Sequence, residues 1–318
     1  MIPYKFKLLI RWAASFLVAG LSVWLLVRGL DWSRVFMALA TANYWWVLAG
    51  ILAIVATFFT RTFRWKTLLW RYSLLFRPAI TAILVGQVTN LVLPMRGGDL
   101  VRALWVSPGG GTSSAEALGS IALEKVWDLI ALLSCSLILA FIMPLPPWFT
   151  PYTWSTPLAL FALIAVIWCG LHWQESLFRL ANRWNWNKVL LPFLRRLVNS
   201  LEAIRQPQIY LDVILWTALT WILGWIANLA VLSAFGIPSP KAALFLLAAL
   251  MVGGNVPVPG RVGIFEGICV LSLALFRISS DLAMAVSLVL HLVVMGPPLI
   301  AAAVLVLWPE WREKSAKA

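Results

Sequence analysis

Asn90-Leu91-Val92-Leu93-Pro94-Met95-Arg96-Gly97-Gly98 and Asn255-Val256-Pro257-Val258-Pro259-Gly260-Arg261-Val262-Gly263 spell one pattern twice, Asn-x3-Pro-x-Arg-x-Gly, position for position. Each copy interrupts a long apolar stretch, and each is followed within a few residues by a carboxylate, Asp99 or Glu266. Proline and glycine break helices, and an arginine with an acid is costly inside a bilayer. Paired breaks in the two halves of a membrane chain are the best sequence pointer to a transporter's binding site.

The surrounding composition fixes the class. Of 318 residues, 62% are hydrophobic and 12% charged, and the mean hydropathy is +0.90. Apolar runs of the roughly 20 residues that span a bilayer recur along the chain. The alternating short strands of a membrane barrel are absent. An all-α polytopic membrane protein is predicted. The net charge of +13 would suggest nucleic acid in a soluble protein. Here it is explained by cations in cytoplasmic loops, so no nucleic-acid partner is expected. Many of the twenty tryptophans flank apolar runs, Trp45, Trp46, Trp65, Trp70, Trp148, Trp154 and Trp311 among them, as headgroup-level anchors do.

Candidate full spans fall at about 10–28, 44–61, 117–143, 157–173, 211–235 and 282–308. Lys5, Lys7 and Arg11 place the N-terminus in the cytoplasm. Arg61, Arg64, Lys66, Arg71 and Arg77 put the loop after the second span on the same side, whereas the uncharged segment 144–156 suits the outer face. The cationic segment 174–210 and the tail with Arg312, Lys314 and Lys317 return inside. The first apolar stretch lacks a small-residue cleavage site and reads as a retained helix. Two apolar regions remain, about 79–106 and 241–276, and the charge signs agree only if each enters and leaves on one side.

The predicted architecture is therefore about six full spans plus two oppositely oriented re-entrant hairpins, an inverted repeat within one integral domain, 1–318. The first half, 1–143, carries hairpin 79–106. The second, 157–318, carries interfacial segment 174–210 and hairpin 241–276. Irregular backbone at membrane depth must be buried by protein or reached by water, so the two breaks are expected to meet and line a cavity. Segment 174–210 reads either as interfacial helices or as a basic loop with aromatic anchors.

Ionisable groups inside the spans are the candidates for function. Glu124 and Asp128 stand four apart, on one face of a helix that opens with the capping box Ser113-x-x-Glu116. Glu124 is then about 15 Å along that helix. Lys125 points elsewhere, to snorkel or to pair with an acid of another helix. Arg96, Asp99 and Arg102 recur at steps of three, a stripe if Gly97 and Gly98 open a short helix. With Arg261 and Glu266 the set is three arginines and four carboxylates around two breaks, which Asn90 and Asn255 begin. Internal ion pairs that neutralise one another are one reading. The other is an arginine cradle for a phosphate, whose geometry the planar guanidinium matches, helped by helix N-termini. Arg61 and Arg64 are either interface anchors or headgroup contacts. His172 and His291 are isolated, the first expected at an interface and the second hydrogen-bonded inside the bundle, and Cys135, Cys169 and Cys269 form no metal-ligand spacing, so neither metal nor cofactor is expected. Pro108-Gly109-Gly110-Gly111 is not followed by the lysine of a nucleotide-binding loop.

At Arg61-Thr62-Phe63-Arg64-Trp65, Asn90 to Arg102, Glu124-Lys125-Val126-Trp127-Asp128 and Pro257 to Glu266 the chain resembles the lysylphosphatidylglycerol synthase transmembrane-region family, or flippase-like domain. The likeness runs over nearly the whole chain in the expected order. It implies a multi-pass protein of the bacterial inner membrane that moves a phospholipid or a lipid-linked glycan between leaflets. A separate lipid-modifying enzyme is a possible partner, because the aminoacyl-transferase domain of the full synthase is not in this sequence. Asp99 stands where the family usually has Glu. A membrane-embedded transferase acting on a lipid-linked substrate, or an accessory subunit of an envelope-lipid pathway, are the alternatives.

Overall fold

The computed structural model describes residues 20–24, 26–72, 74–92, 97–106, 113–143, 206–253 and 258–307, with a few single positions between 157 and 172. All regular structure among the described residues is helical. In chain order the helices are α1 (Trp32–Thr41), α2 (Tyr44–Leu68), α3 (Phe76–Val92), α4 (Gly98–Val106), α5 (Ser114–Ile142), α6 (Pro207–Ala234), α7 (Pro240–Gly253), α8 (Ile264–Ala274) and α9 (Ser280–Leu307). A 3₁₀ turn, Pro259–Arg261, separates α7 from α8.

Four of these helices are long and apolar enough to cross a bilayer: α2, α5, α6 and the Ser280–Ala301 part of α9. They match four of the expected spans. The expected spans 10–28 and 157–173 and the segment 174–210 lie largely outside the described residues, apart from 207–210, which belong to α6. Between the long helices stand the two interrupted ones. The order is span, broken pair, span (α2, α3/α4, α5), and then the same again (α6, α7/α8, α9).

Local chemistry sets the helix ends. The Ser113 side chain accepts from the Glu116 amide while Glu116 accepts from Ser113, closing the expected capping box at the start of α5. Pro207 and Pro240 open α6 and α7, where the missing N–H costs nothing. Beyond α6, Gly236 takes the left-handed conformation (φ 74°), and the Ile237 amide turns back to the Leu232 carbonyl at 3.0 Å.

The chain forms two compact units, each drawing on both sequence halves. One contains the described residues of Met1–Ala56, Leu84–Gly98 and Ile222–Val304. Its core joins Val231, Leu232, Leu246, Phe265, Cys269, Leu273, Leu290 and Val293 with Leu91 from the end of α3. The described flanks of both breaks therefore belong to one unit, and Leu91 and Phe265 to one apolar cluster. Small residues let helices approach: a Cβ on Gly50 of α2 would stand 3.4 Å from the Ala227 carbonyl oxygen of α6 and 3.5 Å from Val293 of α9.

The other unit contains the described residues of Thr57–Ile83, Asp99–Trp221 and Leu305–Ala318. Leu68, Leu123, Trp127, Ile209 and Val213 form its apolar cluster. Phe63 stacks on Trp216 with centroids 4.9 Å apart. The Thr60 and Thr220 hydroxyls lie 2.7 Å apart.

One expectation about tryptophans is corrected. Trp45 is 80% exposed, as a headgroup anchor should be, but Trp65 is 0% exposed. A single sequence shows that Trp65 ends an apolar run. It does not show that α5 supplies a hydrogen-bond acceptor that draws the indole inward.

Candidate functional site

In the second unit two carboxylates meet on Arg64. Its position in α2 follows from helix periodicity, which sets Arg61 and Arg64 three apart on one face. Arg64 donates through Nη2 to Glu124 Oε1 at 2.9 Å and through Nη1 to Asp128 Oδ1 at 2.7 Å. The two acids are one turn apart on α5, so a single planar guanidinium spans both. Thr217 of α6 adds a longer contact, 3.4 Å from Nη1. Three helices are tied at one point.

Arg102, from α4, completes the cluster. Its Nη2 lies 2.8 Å from Glu124 Oε2, a close ion pair without an aligned hydrogen bond. The guanidinium also lies over the Trp65 ring, 3.8 Å from its centroid, a favourable cation–π position. Trp65 in turn donates through Nε1 to Ser120 Oγ at 2.9 Å. Arg64, Arg102 and Glu124 are all buried. Removing charges from water costs several kcal/mol each, and only mutual pairing of this kind offsets it. Within the cluster, Arg64 Nε and Arg102 Nε are buried without a hydrogen-bond partner among the described residues.

Three further residues surround this core. Lys125 pairs with Asp99 at 3.5 Å, with side chains 49% and 36% exposed. This is the pairing with a neighbouring helix that the sequence allowed for Lys125. Arg61 is partly buried, and it acts electrostatically on both Arg102 and Glu124. It has no ion-pair partner among the described residues. Arg64 and Arg102 balance Glu124 and Asp128, and Lys125 balances Asp99. Among these described residues Arg61 is the charge without an ion pair.

The first unit holds the described ends of both breaks. The Gly98 amide donates to Asn90 Oδ1 at 2.9 Å, so the motif's first and last residues bridge the first break. A Cβ on Gly98 would collide with the Gly86 carbonyl oxygen, so α3 and α4 touch backbone to backbone there. At the second break, Gly260, Arg261 and Gly263 all have positive φ (61°, 57° and 82°). Glu266 Oε2 accepts from the Gly263 amide at 2.7 Å, capping α8. Glu266 Oε1 is hydrogen-bonded to His291 Nδ1 of α9, and His291 Nε2 lies 3.0 Å from the Gly260 carbonyl oxygen.

The expected site residues thus fall into two groups. Arg61, Arg64, Asp99, Arg102, Glu124 and Asp128 gather in one unit; Asn90, Arg261 and Glu266 stand in the other. Arg96 and Asn255 lie outside the described residues. His291, Trp65, Ser120 and Thr217 join these networks without a sequence signal strong enough to place them. Among the described residues no cluster of metal-ligating side chains is present.

Long apolar helices, two broken helix pairs and a fully buried arginine–carboxylate network define a polytopic membrane protein with an ionic interior. The profile of the lysylphosphatidylglycerol synthase TM region matches residues 12–302, and the chain belongs to that family. No curated protein and no solved structure matches it.

Proposed function

We propose that the protein is a lipid translocase. It moves a phosphate-bearing phospholipid or polyprenyl-phosphate glycolipid between leaflets of the bacterial inner membrane, with no covalent step. Both termini are cytoplasmic in this reading, as the loop charges require. The observation that carries it is Arg61, partly buried beside the paired Arg64–Glu124–Arg102 core and without an ion pair among the described residues. In surroundings of low dielectric such a cation recruits an anion, and the guanidinium suits phosphate. Membership of a family named for a phospholipid synthase's membrane region supports a lipid as the bearer of that phosphate.

The buried arginines take a different role from the one their positions first suggest. Arg64 is hydrogen-bonded to Glu124 and Asp128, and Arg102 is ion-paired with Glu124, so they hold α2, α4 and α5 in register. Arg61 meets the phosphate. The exposed Lys125–Asp99 pair opens to receive the remaining charges of a zwitterionic or aminoacylated headgroup.

Reconstitution tests this. Vesicles containing the protein and a fluorescent phosphatidylglycerol are treated with a membrane-impermeant quencher, and the lipids are then analysed by mass spectrometry. A translocase exposes the inner-leaflet pool and leaves lipid masses unchanged. A new lipid species identifies a transferase instead, and quenching no faster than in empty vesicles rejects translocation of that lipid.

A further inference from the structure

His291 is hydrogen-bonded at both ring nitrogens, and both partners are acceptors as drawn. Nε2 faces the Gly260 carbonyl oxygen at 3.0 Å, and a carbonyl only accepts. Nε2 must therefore carry a proton. Nδ1 faces Glu266 Oε1, and that contact also needs a proton between the two atoms. Either the ring is an imidazolium against a carboxylate, or a neutral ring accepts from a carboxylic acid. Both forms hold one proton more than a neutral histidine beside an ionised glutamate.

We propose that Glu266 and His291 bind a single shared proton that latches the second break. When that proton leaves to water, the remaining ring proton cannot serve both contacts. It goes to Nδ1, because a carboxylate accepts more strongly than a carbonyl. Nε2 then turns a lone pair toward the Gly260 oxygen, and that tether is lost. The freed segment is the Pro259–Arg261 turn, where Gly260 and Arg261 are in the left-handed region (φ 61° and 57°). For arginine this conformation is disfavoured and persists only while its surroundings hold it. Release of the proton thereby removes one tether of the turn that carries Arg261, one of the two arginines of the repeated motif, while the Arg261 amide keeps the Val258 carbonyl at 3.0 Å.

On α8, the Phe265 ring lies 4.6 Å from the His291 ring, and the buried Cys269 thiol senses the Glu266 charge. Arg261 stands on the turn itself. Asp281 opens α9 ten residues before His291, about 15 Å away along the helix, and is bound to Asp31 and Arg34. Lys241 is at the far end of α7 from Gly253, whose Cβ position meets Ile268. The latch is independent of what the protein carries.

Glu266→Gln offers a closed reference. A glutamine accepts from the Gly263 amide through its oxygen and donates to His291 Nδ1 through its nitrogen, keeping Nε2–H on Gly260 with no proton to lose. The full chain in lipid nanodiscs, with ¹⁵N-labelled histidine and His172→Gln to leave one signal set, reports the His291 ring between about pH 5 and pH 9. We expect two ring protons or a shared Nδ1 proton at low pH, then an Nδ1–H tautomer as pH rises. Glu266→Gln should show Nε2–H throughout. In parallel, Val262→Cys, at a position 49% exposed beside the turn, is labelled in a background without Cys135, Cys169 and Cys269. Its rate relative to the same protein carrying Glu266→Gln should rise about tenfold per pH unit across the transition, as for one linked proton. An unchanged His291 ring across that range, or a flat labelling ratio, overturns the latch.

Discussion

Arg102 Nη2 stands 2.8 Å from Glu124 Oε2, with the two side chains 4% and 0% exposed. Glu124 uses its other oxygen for Arg64 at 2.9 Å. One carboxylate therefore compensates two buried cations, and its loss strands Arg102 and leaves Arg64 with Asp128 alone.

Glu124→Ala should accordingly destabilise the protein by at least about 3–5 kcal/mol, the usual effect of breaking a buried pair from one side. Asp128→Ala should cost less, because Arg64 keeps Glu124. Thermal unfolding midpoints in detergent check the order. Equal shifts for the two variants would contradict the shared role of Glu124.

Gly98→Ala and Gly253→Ala make a matched pair at the two breaks. The new methyl of the first meets the Gly86 carbonyl and the Asn90 side chain, neither of which moves cheaply. That of the second meets the end of the Ile268 side chain, which has other rotamers. Gly98→Ala should lower the unfolding midpoint markedly, by more than about 2 kcal/mol, and Gly253→Ala distinctly less. The reverse order would mean that the α3/α4 approach is not a fixed backbone contact.

Trp65→Phe separates packing from hydrogen bonding. It leaves a ring beneath Arg102 but deletes the donor to Ser120, a change of about 1 kcal/mol. Trp65→Leu also removes the cation–π contact and should cost clearly more. Equal stability of the two variants would remove the ring from the energetics of Arg102.

The helical, multi-span class and the long helices are legible in the sequence because hydrocarbon thickness is a blunt constraint. Apolar run length predicted α2, α5, α6 and α9, and proline with glycine marked both breaks. Spacing of four placed Glu124 and Asp128 on one face, and the capping box fixed the start of α5. What the sequence concealed was pairing between helices. Arg64 and Glu124 are sixty residues apart, and nothing local says that one guanidinium will span two acids. His291 is hydrogen-bonded inside the bundle as expected, but its partners, Glu266 and Gly260, come from a different helix and a turn and could not be named. Trp65 was read by its place at the end of an apolar run, whereas its burial depends on Ser120, fifty-five positions on.

Arg61 supplies the direct test, since among the described residues it lies beside the buried cluster without an ion pair of its own. The measurement is leaflet exchange in reconstituted vesicles of a labelled phosphatidylglycerol and a labelled phosphate-free glycolipid, by the wild type and by Arg61→Gln at matched thermal stability. The predicted result is exchange of the phosphate-bearing lipid by the wild type, slowed roughly tenfold or more in the variant, in line with the loss of one charged hydrogen bond. Exchange of both lipids alike, or an Arg61→Gln protein as fast as the wild type, would contradict it.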